Sequence, residues 1–178
     1  VRAMTHLAPR LSSAHQLTLP MASSTRNGHL VTGGTSGLGL LTARWLAQCD
    51  AYTLVLASRS GVLAQGTAHE WKPLQAADLI STVVQRSDTA EVAHIHWLVA
   101  LARPTGVWHA AGVLADGMLP TQAATALARV CAPKAHGAWT LQHAEAYIPL
   151  RAFALFSSVA ALLGGAGQAN SSAANACL

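Results

Sequence analysis

The chain has 178 residues, enough for one domain with a substantial core, and 52% hydrophobic against 10% charged residues predicts a heavily buried architecture. Eleven Lys and Arg against seven Asp and Glu give a mild positive charge with no dense basic run, which excludes a nucleic-acid footprint. Cys49, Cys131 and Cys177 are widely spaced, and His94 and His96 alternate too closely for one helical face, so no metal site is expected and the cysteines read as buried thiols of a reducing, cytoplasmic compartment.

Residues 1–27 mix Pro9, Pro20 and several serines without periodicity and read as a segment entering the domain from upstream. The chain opens on Val1 and has no acidic residue before Asp50, a bias that transit peptides share and that leaves an organellar location open. A piece of a longer protein accounts for these features more simply. After Asn27-Gly28 the pattern changes. "HLVTGG" is a short apolar run ending in glycine, "GLGLLTARWLAQ" has helical spacing, and "YTLVLAS" is a second buried strand, which together make a βαβ unit.

The alternation continues with "STVVQR" as a third strand and a helix from Asp88 to near Pro104. "GVWHAAG" follows as a fourth strand, Thr121 to Ala146 as one long helix, and "RAFALFSS" as a fifth strand. Continuous apolar strands mean that both sheet faces are covered, so the fold class is α/β, a Rossmann-like doubly wound parallel sheet with helices on both faces. From Ala152 to Leu178 there is no charged residue. Gly164, Gly165, Gly167, Gln168, Asn170 and Asn175 exclude a membrane span there and suit a buried strand, a turn and a helix instead.

"TGGTSGLG" puts Gly33, Gly34, Thr35, Ser36, Gly37, Leu38 and Gly39 between the first strand and the first helix. Glycine there lets the backbone approach a pyrophosphate, whose charge meets the helix N-terminus near Ser36. The second strand ends in Ser58, Arg59 and Ser60, where an NAD-preferring protein carries an acidic residue. A guanidinium flanked by hydroxyls suits a 2′-phosphate, hence NADPH, although a solvated surface arginine is the alternative. Asp88 either contacts the adenine or caps the next helix. The fourth strand delivers His109, Ala110, Ala111 and Gly112 to the carboxyl edge of the sheet, and the fifth delivers Ser157 and Ser158. Lys134 lies on the helix between them, where Pro133 perturbs the geometry. Ser171 and Asn175, four residues apart, share one face of the last helix.

The stretches "LVTGGTSGLG", "LVLASRSG", "VWHAAGVLADGML", "APKAHGAWTL" and "FALFSSVAALLGGAGQANSSAANACL" resemble, in order, the motifs of the ketoreductase domains of modular polyketide synthases, a branch of the short-chain dehydrogenase/reductase family. The resemblance covers most of the chain, from about His29 to Leu178. It implies a catalytic domain over 28–178, incomplete at its C-terminus and so left with an uncovered sheet edge, preceded over 1–27 by a linker or the end of a structural subdomain to which "LAPRL" is similar. The implied reaction is NADPH-dependent reduction of a β-ketoacyl thioester on an acyl carrier protein to the β-hydroxyacyl thioester, among the other domains of the same synthase.

Carried over by position, Ser158 matches the carbonyl-binding serine, Lys134 the catalytic lysine and Asn175 the active-site asparagine. Ser171 stands where the family has its catalytic tyrosine, the proton donor, and this departure puts activity in doubt. "VLADG" resembles the signature of reductases giving D-hydroxyl products, with Leu114 and Asp116 kept and Ala115 changed; Leu163 and Asn170 complete the stereocontrol positions the resemblance implies. Two alternatives stay open: a reductively silent dinucleotide-binding or structural domain, and the ketoreductase domain of a fatty acid synthase, which normally keeps the tyrosine. A free-standing sterol or sugar dehydrogenase fits less well, because such enzymes carry lysine four residues after the tyrosine, where this chain has Asn175.

Overall fold

A computed structural model describes residues 27–49, 51–77 and 79–178. The entering segment expected over 1–27, with "LAPRL", therefore lies outside the described residues apart from Asn27. Five parallel strands form one sheet: β1 (Gly28–Thr32), β2 (Thr53–Ser58), β3 (Ser81–Arg86), β4 (Gly106–His109) and β5 (Ala152–Leu155), in spatial order β3-β2-β1-β4-β5. Each strand is followed by helix: α1 (Gly37–Gln48), α2 (Ala68–Gln75), α3 (Val92–Ala102), α4 (Ala124–Cys131) with α5 (Gly137–Ala144), and α6 (Ala160–Leu163) with α7 (Ala169–Ala176). The order reverses at β1, so a crevice opens at the carboxyl ends of β1 and β4, the place where such sheets bind ligands.

The central strands are apolar in unbroken runs because both faces are buried. Leu30, Val55 and Val107 lie side by side in register and point to the α3–α5 layer, where Ile95, Leu98 and Leu141 meet them. Val31, Leu54 and Leu56 point the other way, onto Leu40, Ala43 and Leu46 of α1 and Leu74 of α2. Among the described residues β5 has one strand neighbour, β4.

Several boundaries differ from the sequence-based expectation. The fourth and fifth strands are shorter than the apolar runs, and the released residues Ala110–Gly112 and Phe156–Ser158 become the loops that line the crevice. The long helix expected over 121–146 is broken in its middle: a 3-10 turn (Leu119–Thr121) precedes α4, and a π turn (Ala132–His136) separates α4 from α5. Pro133 lacks an N–H and its ring crowds the preceding turn, which is the physical cause of the wider winding. Helix α2 was not expected. It carries Pro73 in its interior and buries only Leu74, so its periodicity is weak. The cysteines are not the buried thiols expected: Cys49 and Cys177 are exposed and Cys131 is partly covered, because all three fall at or next to helix ends.

Candidate active site

The glycine turn is held tightly against the sheet. The amides of Gly33 and Gly34 both donate to the Ala57 carbonyl, at 2.7 and 3.2 Å, and Gly33 adopts φ = 69°. A Cβ on Gly33 would stand 2.7 Å from the Ala110 carbonyl, and one on Gly39 would collide with the Gly33 carbonyl. Only glycine lets strand, turn and helix approach this closely. Thr35 is buried beneath the turn, while Ser36, Gly37 and Leu38 are exposed at the start of α1. Ser36 is the N-cap, and its side chain makes no capping hydrogen bond. The first amides of a 12-residue helix therefore face the crevice without an intrahelical partner. Replacing Gly39 with alanine is expected to cost about 1–3 kcal/mol of stability through that backbone collision, measurable by thermal unfolding.

The second wall comes from the end of β2. Ser58 Oγ accepts from the Gly61 amide at 3.1 Å and lies 3.3 Å from Ser60 Oγ, while Ser60 Oγ donates to the Val62 carbonyl. The Ser87 amide, at the end of β3, donates to the Ser58 carbonyl at 2.8 Å. These bonds fix a loop from which Arg59 projects, exposed and with no hydrogen bond or ion pair among the described residues. A cavity of about 410 Å³ lies between the two walls, bounded by Gly33, Thr35 and Ser36 on one side and Ser58, Arg59 and Ser60 on the other. Ser87, Thr89, Ala111, Gly112 and Pro133 close it. Of these, Ser87 and Thr89 were not anticipated, since a lone Ser or Thr after a strand carries no distinguishing pattern.

A larger cavity of about 530 Å³, lined by Val99, Arg103, Pro104, Ile148 and others, opens at the amino edge of the sheet, away from the turn and the lysine. Size alone does not make it the site, because the convergent polar groups are at the carboxyl edge.

Two expected cofactor contacts are revised. Asp88 does not line the cavity, and it does not cap α3, whose N-cap is Glu91; its Oδ1 accepts from the Ala90 amide at 3.0 Å in the turn leading to that helix. The side chain of His109 is 0% exposed and turned inward, with Nδ1 2.7 Å from Thr32 Oγ1, so it is withdrawn from the cavity that Ala111 and Gly112 line. Gly34, Gly37, Leu38, Gly39 and Ala110 shape the turn from behind or at its rim rather than lining the space.

Beyond Gly112 lies Lys134. A Cβ on Gly112 would come within 2.9 Å of Lys134 Cε, so the lysine stem passes over this glycine. Its Nζ donates to the Phe156 carbonyl at 2.6 Å, at the end of β5, and burial holds the ammonium below the usual lysine value. The next residue, Ser157, donates to the Asn175 carbonyl at 2.8 Å and ties the end of β5 to α7. Ser158 follows, exposed, its Oγ accepting from the Ala160 amide at 3.2 Å and its own proton left available. Helix α7 packs against α4 and the π turn. On it Asn175 Nδ2 donates to the Ser171 carbonyl at 2.8 Å and lies 3.5 Å from Ser171 Oγ, as the four-residue spacing predicts. Ser171 is 6% exposed and its hydroxyl stays within the helix packing. Lysine, serine pair and asparagine are thus joined through three successive residues of one loop. Among the described residues no group of three or more His, Cys, Asp or Glu is placed to hold a metal, and no helix is long and apolar enough to cross a membrane.

The loop after β4 and the start of α7, which carry Asp116 and Asn170, are bonded to each other. Asn170 Nδ2 donates to the Ala115 carbonyl at 2.7 Å, Gln168 Nε2 donates to Asp116 Oδ2 at 3.2 Å, and the Gly117 amide donates to the Gly167 carbonyl at 2.8 Å. The start of α7 thereby staples the loop after β4. Asn170 is buried in doing so, while Leu114 and Leu163 are exposed at the rim.

Sequence and structure comparisons identify the family. A family model described as the KR domain matches residues 28–178. The spectinabilin polyketide synthase system protein NorB of Streptomyces orinoci is 41% identical over 167 residues, covering 91% of this chain and 8% of that protein. Polyketide synthase GfsB of Streptomyces halstedii is 45% identical over 152 residues, covering 84% of the chain and 3% of its own length. The chain thus spans less than a tenth of either relative. Among solved structures, the first ketoreductase of the tylosin polyketide synthase superposes with a TM-score of 0.77 at 38% identity, over 89% of this chain and 35% of that one. An A1-type ketoreductase gives 0.78 at 36% identity, over 86% and 33%. With five parallel strands in Rossmann order, a glycine turn at the switch point and this breadth of likeness, the chain belongs to the ketoreductase domains of modular polyketide synthases, within the short-chain dehydrogenase/reductase family.

Proposed function

We propose that the chain is an NADPH-binding β-ketoacyl-thioester reductase by descent, in which the proton-donating step is impaired at Ser171. The observation that carries this is a cavity between the glycine turn and the Ser58–Arg59–Ser60 loop, closed by Gly112, over which the stem of Lys134 passes to the Phe156 carbonyl, two residues before Ser158. The residues present fit a dinucleotide: a cradle with no room for a Cβ at Gly33, uncapped amides at the start of α1, and an exposed guanidinium between two hydroxyls. The glycine turn and α1 would hold the pyrophosphate, and Arg59 with Ser58 and Ser60 the 2′-phosphate. When bound, NADPH supplies the hydride.

The remaining work falls to the chain. The exposed Ser158 hydroxyl donates to the ketone oxygen of a β-ketoacyl thioester carried on an acyl carrier protein. The Lys134 ammonium favours negative charge developing nearby. Serine at position 171 supplies neither the acidity nor the reach of a phenol. Leu114, Asp116, Leu163 and Asn170 shape the approach of the substrate, and D-hydroxyl is the product expected. A reductively silent, dinucleotide-binding domain is the second possibility, favoured by the burial of Ser171 against Asn175.

Nucleotide titration by fluorescence tests the proposal. NADPH is expected to bind more tightly than NADH, and Arg59→Ala should weaken NADPH at least tenfold, the scale of one charge-assisted phosphate contact, while leaving NADH nearly unchanged. Equal weakening of both dinucleotides would remove the 2′-phosphate assignment.

A further inference from the structure

The π turn that carries Lys134 departs from α-helical bonding: the Gly137 amide donates to the Ala132 and Lys134 carbonyls, and Pro133 contributes no N–H. The Thr89 hydroxyl donates to the Pro133 carbonyl at 3.3 Å. His109 lies against the same turn. Its ring is fully buried, Nδ1 meets Thr32 Oγ1 at 2.7 Å, and Nε2 makes no hydrogen bond of good geometry although the backbone of Pro133 and Lys134 lies against it. Gly137 makes this approach possible: a Cβ there would stand 3.2 Å from His109 Cε1 and 3.1 Å from Thr89.

Proton accounting selects the tautomer. The backbone of Pro133 and Lys134 lies against the ring and Nδ1 is taken up by the Thr32 hydroxyl, so a donor is useful only on Nε2, and Nδ1 then accepts from that hydroxyl. Burial, and then the charge of Lys134, hold the ring neutral, with its pKa lowered to about 4 against the opposing pull of those backbone groups. The chain of contacts runs from the end of β1 through the end of β4 to the turn, and from there through Lys134 to the end of β5.

We propose that His109 is a positioning residue for Lys134: locked by Thr32 as the Nε2–H tautomer, its ring braces the carbonyl face of the π turn and fixes where the ammonium stands against the Phe156 carbonyl. This rests on the reductase function proposed above and adds the group that sets its lysine. His109 does not line the cavity proposed for the dinucleotide.

Lys72 and Lys134 are the only lysines in the sequence. Competitive acetylation of the full chain across pH, read by peptide mass spectrometry, therefore follows Lys134 with exposed Lys72 as internal standard. In Thr32→Val, which deletes the hydroxyl at similar shape, the Lys134 labelling midpoint is expected to move upward, because a loosened turn lets the ammonium reach water. His109→Leu should move it the same way, and His109→Gln, which keeps a donor, should restore it in part. Unmoved midpoints in Thr32→Val and His109→Leu, with lowered melting temperatures, would mean that the histidine only packs and would overturn the proposal. Should the variants not fold, ¹⁵N imidazole NMR of the parent decides: an Nε2–H tautomer supports the role and Nδ1–H refutes it. A parallel NADPH titration keeps the two questions separate, since failure to bind defeats the reductase function without touching the labelling result.

Discussion

Replacing Ser171 with tyrosine is expected to raise NADPH-dependent reduction of a β-ketoacyl thioester by about 10²- to 10⁴-fold, the usual contribution of a positioned proton donor. The phenol pKa of about 10 is within reach of a neighbouring ammonium, which favours the phenolate and so sharpens the acid. A serine hydroxyl is a far weaker acid, and at this position it is buried against Asn175. The helix backbone is already placed for the exchange: the Ser171 amide is held by Asn170 Oδ1 at 2.7 Å, and Asn175 is fixed on the same face. Dinucleotide affinity should stay within about twofold of the parent, because residue 171 does not line the cavity. NADPH oxidation with a thioester substrate, measured for both proteins, reads the effect. Reduction only in the tyrosine variant would favour the silent-domain reading, whereas equal turnover in both proteins would refute this account of Ser171.

The parts of this site that depend on backbone and period were legible in the sequence. Glycines between a strand and a helix predicted the turn at Gly33, and the four-residue spacing predicted that Ser171 and Asn175 meet. What escaped depends on packing across elements. Histidine in "HAAG" looked like a cofactor contact, yet its direction is set by Thr32, 77 residues away in sequence. The break in the long helix was signalled by Pro133, but the partner that its carbonyl finds, the Thr89 hydroxyl, lies 44 residues away in sequence. For Asp88 the same carboxylate suits a helix cap or an adenine contact, and the bond it makes, from the Ala90 amide in a turn ahead of α3, is set by the folded loop. Glu145 gave no signal at all: a charged residue after an amphipathic helix reads as solvated surface.

Instead Glu145 is 4% exposed, with neither carboxylate oxygen hydrogen-bonded among the described residues, and burial raises its pKa from 4.5 to about 8. It sits just after α5, at the end of the helix where a negative charge is least welcome. The folded state keeps the proton while the unfolded state releases it, so this group costs stability progressively as pH rises from 4.5 to about 8 and no further beyond. His29 and His109 act with the opposite sign: burial lowers both to about 4, so their contribution is lost as pH falls from 6.5 to 4. Between pH 6.5 and 8 Glu145 therefore stands clear of both histidines. Glu145→Gln is expected to leave stability near pH 4.5 within about 1 kcal/mol of the parent and to raise it at pH 8 by about 3 kcal/mol, at roughly 1.4 kcal/mol per pKa unit less the relief that relaxation gives the buried charge. Lys134 contributes a slope of its own below 10.5, which cancels when the variant is compared with the parent at each pH. Urea unfolding at pH 4.5, 6.5 and 8 measures this; parallel curves for the two proteins would show that Glu145 ionises in the folded state as freely as in the unfolded chain.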